Sequence, residues 1–102
     1  MSHDIVWEFS VPISHKAGFE AAYGPDGPWA SLFRKAPGFI EVRLLCCSEQ
    51  EGRYLTVDRW TSQAMFDQFR RDFTAEYEAL DAQFEGLAAH ETRIGAFEAL
   101  DG

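Results

Sequence analysis

Phe66, Phe69, Phe73, Tyr77, Leu80 and Phe84 follow one another at intervals of three or four residues. That period puts all six on one helix face. So continuous an apolar stripe has to be covered. Directly upstream, Arg53–Trp60 reads as a strand that ends on a tryptophan. A strand that delivers an indole to the start of an aromatic helix face builds either a packed core or the wall of an apolar pocket.

The rest of the chain supplies a sheet for that helix. Ile5, Trp7, Phe9 and Val11 alternate with polar or smaller residues and predict a strand, ended by Pro12. Ser14 is the expected cap of a short helix carrying Phe19, Ala22 and Tyr23. Gly24-Pro25-Asp26-Gly27 is a turn, and Pro28 opens a second short helix with Trp29, Leu32 and Phe33 on its apolar side. A strand is expected over Phe39–Cys47, with Ile40, Val42, Leu44 and Cys46 on one face and Phe39, Glu41, Arg43 and Leu45 on the other. The short turn before Arg53 makes this strand and the next a hairpin. Thr61 or Ser62 caps the long helix, with a kink expected near Asp72–Thr74. A last strand covers His90–Phe97, with Ile94 and Ala96 alternating against Arg93 and Gly95.

The order β-α-α-β-β-α-β fits an α+β fold: a ferredoxin-like, four-stranded antiparallel sheet with helices on one face. A chain of 102 residues is expected to form one domain, residues 1–102. Those helices can cover only one face, yet the strands carry apolar residues on both. A second copy is the simplest cover, so a homodimer with sheets packed face to face is expected.

Composition excludes several functions. The net charge of −8 argues against a nucleic-acid groove, which needs a basic patch, and against an anionic membrane surface. No apolar run approaches the ~20 residues of a membrane span. Cys46 and Cys47 are adjacent, so on a strand they point to opposite faces and suit neither a structural disulfide nor a zinc site. They read as reduced thiols of a cytoplasmic protein, and no residue cluster suggests a metal.

The strand Arg53-Tyr54-Leu55-Thr56-Val57-Asp58-Arg59-Trp60, the Thr61-Ser62 cap, the aromatic helix and the Ala36-Pro37-Gly38-Phe39 entry to the second strand resemble the antibiotic biosynthesis monooxygenase-like family. The resemblance spans roughly residues 5–97. It implies a dimeric α+β barrel with a pocket between sheet and helices in each protomer. Some members oxygenate aromatic polyketide intermediates there without metal or flavin, while others bind and degrade haem. The chain contains no asparagine, whereas active members of both types use an Asn side chain near the pocket. Residues 62–87 also lack the histidine on which the haem-degrading type depends. The family's pocket tryptophan falls on Trp60.

Each candidate residue has a structural alternative. Trp60 stacks on a flat substrate or plugs the sheet–helix junction. Asp58 serves as a base among aromatic rings or pairs with an arginine such as Arg43. Tyr77 and Tyr23 offer hydroxyls to a pocket or sit at the rim of a core. His90 shuttles protons or is solvated at a strand start. Trp7, Trp29, Phe33, Phe66, Phe69 and Phe73 line a substrate pocket or simply fill the interior. The expected function is cofactor-independent oxygenation of a small aromatic, polyketide-like substrate, without bound cofactor. The alternative is a non-catalytic dimeric domain that binds a small apolar ligand or serves as a scaffold. Any pocket is expected beside Trp60 and Phe66–Phe73, with Tyr77–Phe84 acting as core. A closed core beneath Trp60 counts against the oxygenase.

Overall fold

The computed structural model describes residues 1–100. Its strands are β1 (His3–Ser10), β2 (Phe39–Cys46), β3 (Arg53–Trp60) and β4 (His90–Glu98). They form one antiparallel sheet in the order β2-β3-β1-β4. Its helices are α1 (Lys16–Tyr23), α2 (Pro28–Phe33), α3 (Gln63–Asp72) and α4 (Thr74–Gln83). Alternation decides the inner face: Ile5 and Phe9 of β1, and Tyr54, Thr56 and Trp60 of β3, are buried. The fold is therefore the ferredoxin-like α+β arrangement that the element order predicts.

Local chemistry explains most boundaries. The Ser62 hydroxyl accepts the Met65 N–H at 3.2 Å and caps α3. Pro28 opens α2, with Gly27 as its cap residue. Ser14 does not cap α1; it lies inside a 3-10 turn, Ile13–His15, and α1 begins at Lys16 without a side-chain cap. The expected kink is a full break at Phe73, which leaves helical geometry and joins α3 to α4. The Thr74 hydroxyl donates back to the Arg70 carbonyl there. Gly38, with φ of +91°, turns the chain into β2; a Cβ there would stand 2.5 Å from the Met65 Cβ, so only glycine lets α3 pass this close.

Two bulges alter the predicted faces. Phe39 pairs with Trp60 and Glu41 with Arg59, so Ile40 is an extra residue on β2. Phe39 consequently joins the inner face and packs edge-on against Trp60 at 5.3 Å, while Ile40 is exposed. This corrects the expectation that Ile40 lies with Val42 and opposite Phe39. On β4, Arg93 pairs with Trp7 and Gly95 with Val6, which leaves Ile94 between them as the extra residue. Ile94 therefore does not share the face of Ala96, which sits opposite Ile5.

Among the described residues nothing covers the outer face. Leu45 pairs with Leu55, Val57 with Val6, and Val6 with Gly95 across the four strands. Leu45 and Phe97 are 46% and 51% exposed. Ion pairs flank this apolar band: Arg53–Glu8 at 2.8 Å, and Arg59 held between Glu41 at 2.8 Å and Asp4 at 3.4 Å.

Candidate functional site: an aromatic slot beside Asp58

The space beneath Trp60 is filled. Trp60 is 0% exposed and Phe69 1%. The Trp60 ring is 5.0 Å from Phe69, 5.6 Å from Phe66 and 5.7 Å from Phe33. Phe73 stacks on Phe69 at 5.5 Å. Rings on β3, β2, α2 and α3 thus interlock at offset and edge-on angles. The Trp60 Nε1 is buried there without a hydrogen-bond partner among the described residues. The Phe66–Phe73 end of the helical stripe, where a pocket was expected, is occupied by packed rings.

The opening lies one strand position back and on the other helix. A slot between the inner sheet face and the helices is walled by Trp7 and Phe9 of β1, Val42 of β2, and Thr56 and Asp58 of β3. Tyr23 of α1, Trp29 and Phe33 of α2, and Tyr77 and Asp81 of α4 form its roof, and Glu91 of β4 stands at its edge. Trp60, Phe66, Phe69 and Phe73 are not part of it. Its cavity volume is about 60 Å³. It is a thin slit suited to a flat ring.

β3 explains why Asp58 enters this slit. By alternation Asp58 shares the inner face with Thr56 and Trp60, opposite Ile5 on β1 and Val42 on β2. Arg43 pairs with Val57 and points to the outer face, so it is not the partner of Asp58. Among the described residues Asp58 forms no ion pair. Surrounded by apolar groups, its carboxyl is pushed up to about 7 by burial, which disfavours the charged form.

The tyrosines are shifted the same way. Burial, and then the nearby Glu91 charge, push the Tyr23 phenol up to about 12. The Trp29 N–H offsets part of that rise, yet it does not reach hydrogen-bonding geometry, and Nε1 is buried without a partner. Burial also raises Tyr77, against the opposing effect of Arg70, whose guanidinium lies 4.1 Å from the Tyr77 ring centre. Both hydroxyls therefore remain protonated donors near neutral pH. Glu91 is raised by burial and by the neighbouring Asp81.

Of the residues singled out in the sequence, Asp58, Tyr23, Tyr77, Trp7, Trp29 and Phe33 come together in the slot. Phe66, Phe69, Phe73 and Trp60 belong to the adjoining core. His90 is exposed, opposite Ser10 at the start of β4. Thr56, Glu91, Asp81, Phe9 and Val42 were not singled out. Thr56 was within reach, since it shares the alternation of Asp58. Glu91 was hidden by its neighbour His90 and by the β4 bulge. Among the described residues no group of three His, Cys, Asp or Glu side chains gathers to hold a metal ion, and no helix is long and apolar enough to cross a membrane.

An antiparallel sheet roofed by helices, with an aromatic slit between the layers, defines a protein of the ferredoxin-like α+β class. The sequence profile of the antibiotic biosynthesis monooxygenase family matches residues 5–82, and the chain belongs to that family. No curated protein sequence matches the chain. Solved structures reproduce the fold. A mutant of SnoaB, a cofactor-independent oxygenase from Streptomyces nogalater, is 24% identical, covers 99% of this chain and 95% of its own, and superposes with a TM-score of 0.72. A putative antibiotic biosynthesis monooxygenase from Bordetella bronchiseptica is 19% identical, covers 97% of each chain and reaches 0.74. A mutant of MhuD, solved with two manganese protoporphyrin IX molecules bound per active site, is 22% identical, covers 98% and 96%, and reaches 0.68.

Proposed function

We propose that this protein is a cofactor-independent oxygenase of a small aromatic substrate, with the slot beside Asp58 as its active site. The observation that carries the reading is a carboxyl raised to about 7, unpaired, and set among aromatic rings. Such a group takes a proton near neutral pH, as a general base must. Trp7, Trp29 and Phe33 hold a flat ring. Asp58 removes a proton from an activated CH₂ of that ring system. The resulting carbanion passes an electron to dioxygen, and the radical pair combines to a carbon-bound peroxide. Asp58 returns its proton to the peroxide, and loss of the second C–H proton breaks the O–O bond. The balance is CH₂ plus O₂ to C=O plus H₂O. The Tyr77 and Tyr23 hydroxyls donate hydrogen bonds to the anions that form along the way. Support comes also from family membership and from the likeness in fold to SnoaB.

The closed packing around Trp60 and the absence of asparagine favour a second reading, a non-catalytic protein that binds a small apolar ligand in the same slot. Oxygen-electrode assays on an anthrone-type panel separate the two. Substrate-dependent uptake that Asp58→Asn abolishes supports the oxygenase; no uptake above buffer, with ligand binding intact, favours the binder.

Under either reading the working form is a homodimer joined through the outer sheet face. The uncovered band of Val6, Leu45, Leu55, Val57 and Phe97 supports it. A cytoplasmic setting belongs to the same proposal, supported by two free thiols at Cys46 and Cys47.

A further inference from the structure

The mouth of the slot opens beside a second hollow that shares Tyr23, Asp81 and Glu91 with it. The hollow is wider, about 410 Å³ against about 60 Å³ in the slot. Glu78 and Glu85 add two more carboxylates to its wall. Among the described residues no lysine, arginine or histidine lines either space. Two cations stand nearby: Arg70 is laid against the ring of Tyr77, and Arg93 is opposite Trp7 on the edge strand. Neither balances five carboxylates, counting Asp58, Glu78, Asp81, Glu85 and Glu91.

Aromatic groups line the inner end. Trp29 is 7% exposed and walls the slot, with a buried Nε1 that has no acceptor among the described residues. Trp7, Tyr23 and Tyr77 line it as well, and aromatic rings attract cations through their quadrupoles. Burial first, and then the neighbouring Asp81 charge, raises the Glu91 carboxyl, so Asp81 and Glu91 repel each other at the threshold. A positive group between them relieves that repulsion, and a negative one adds to it.

We infer that the site ranks ligands by charge. It takes a flat aromatic ring that carries a protonated amine, accepts the uncharged equivalent less well, and rejects the carboxylate. The ring enters the slot, and the amine stays in the acidic hollow between Asp81 and Glu91. This rests on the slot being the substrate site proposed above, and it narrows that substrate to a neutral or cationic aromatic.

Three near-isosteric probes test it: 3-phenylpropylamine, 3-phenylpropanamide and 3-phenylpropionate, titrated calorimetrically at pH 8 in low salt. The expected order is amine, amide, carboxylate, with the amine at least about tenfold tighter than the carboxylate. The double variant Asp81→Asn/Glu91→Gln removes two charges from exposed positions and is expected to shrink that ratio to about threefold. Raising the salt to about 0.5 M on the unaltered protein is expected to do the same, since exposed charges are then screened. Equal affinities, or a tighter carboxylate, would overturn the charge ranking while leaving the slot a ligand site. If none of the three binds, the slot is not a ligand site, and the inference falls together with the reading beneath it.

Discussion

Replacing Asp58 by asparagine keeps the shape of the side chain and removes its charge. In the folded protein the carboxyl is raised from 3.8 to about 7 by burial alone. In the unfolded chain it regains the ordinary value. Between those two values the folded state holds a proton that the unfolded state has lost, so stability falls as pH rises from about 4 to about 7 and levels off above. At about 1.36 kcal/mol per pKa unit, the full difference is about 4 kcal/mol at pH 8. Water at the mouth of the slot screens part of it, so a loss of about 2 kcal/mol is the working figure. Asp58→Asn is therefore expected to be more stable than the parent by about 2 kcal/mol at pH 8, which is about 10 °C in Tm for a domain of this size. At pH 4.5 the gap shrinks to about 1 kcal/mol or less. Urea unfolding of both proteins at the two pH values measures it, and any constant offset from the new amide cancels in the comparison. The same variant is expected to lose oxygenase turnover, gaining stability as it loses its base. Parallel pH profiles for the two proteins would show that Asp58 titrates as an ordinary carboxylate, and the argument for it as a base at neutral pH would fail.

The filled core makes different demands. Phe69→Ala is expected to cost about 3–5 kcal/mol in chemical unfolding, because Phe69 is buried among Phe33, Phe66, Phe73 and Trp60. Trp60→Phe is expected to lower stability by about 1–3 kcal/mol yet leave ligand affinity within about twofold, because Trp60 lies outside the slot; loss of binding at unchanged stability would place Trp60 in the site after all. Gly38→Ala forces both a positive φ and a 2.5 Å approach to Met65. It is expected to destabilise by more than about 2 kcal/mol, and an unchanged urea midpoint would contradict the close passage of α3. The protein is expected to sediment as a dimer at micromolar concentration and Val57→Lys as a monomer, since a charge would then sit at the centre of the apolar band; a monomeric parent refutes the face-to-face arrangement.

Much of this architecture was legible in the chain. Alternation in Ile5–Phe9 and Tyr54–Trp60 marked inner faces correctly, because a pleated strand admits only two sides. Ser62 and Pro28 announced helix starts through chemistry that belongs to single residues. The two bulges escaped that logic. One extra residue at Ile40 or Ile94 reverses the phase of a strand, and only the partner's register reveals it. Asp58 could be assigned to the inner face from its neighbours, but its missing partner depended on Arg43 lying on the opposite side of the sheet.

The six-residue stripe sets the limit most clearly. By itself the sequence determined that Phe66–Phe84 is a helical apolar face, that it follows a strand ending at Trp60, and that the whole belongs to an α+β fold of the antibiotic biosynthesis monooxygenase family. Periodicity reports direction, and direction is the same whether a ring meets another ring or an empty space. Only the tertiary structure decided that the end beside Trp60 is closed and the end beside Tyr77 open. At the first end, Phe33 and Phe39 arrive from α2 and β2 to fill the gap between Trp60 and Phe69. At the second, the break at Phe73 starts α4 as a separate helix, and Tyr77 and Asp81 stand across an unfilled slit from Asp58. A cavity is a difference between volumes supplied by several elements, and no single stretch of chain contains that sum.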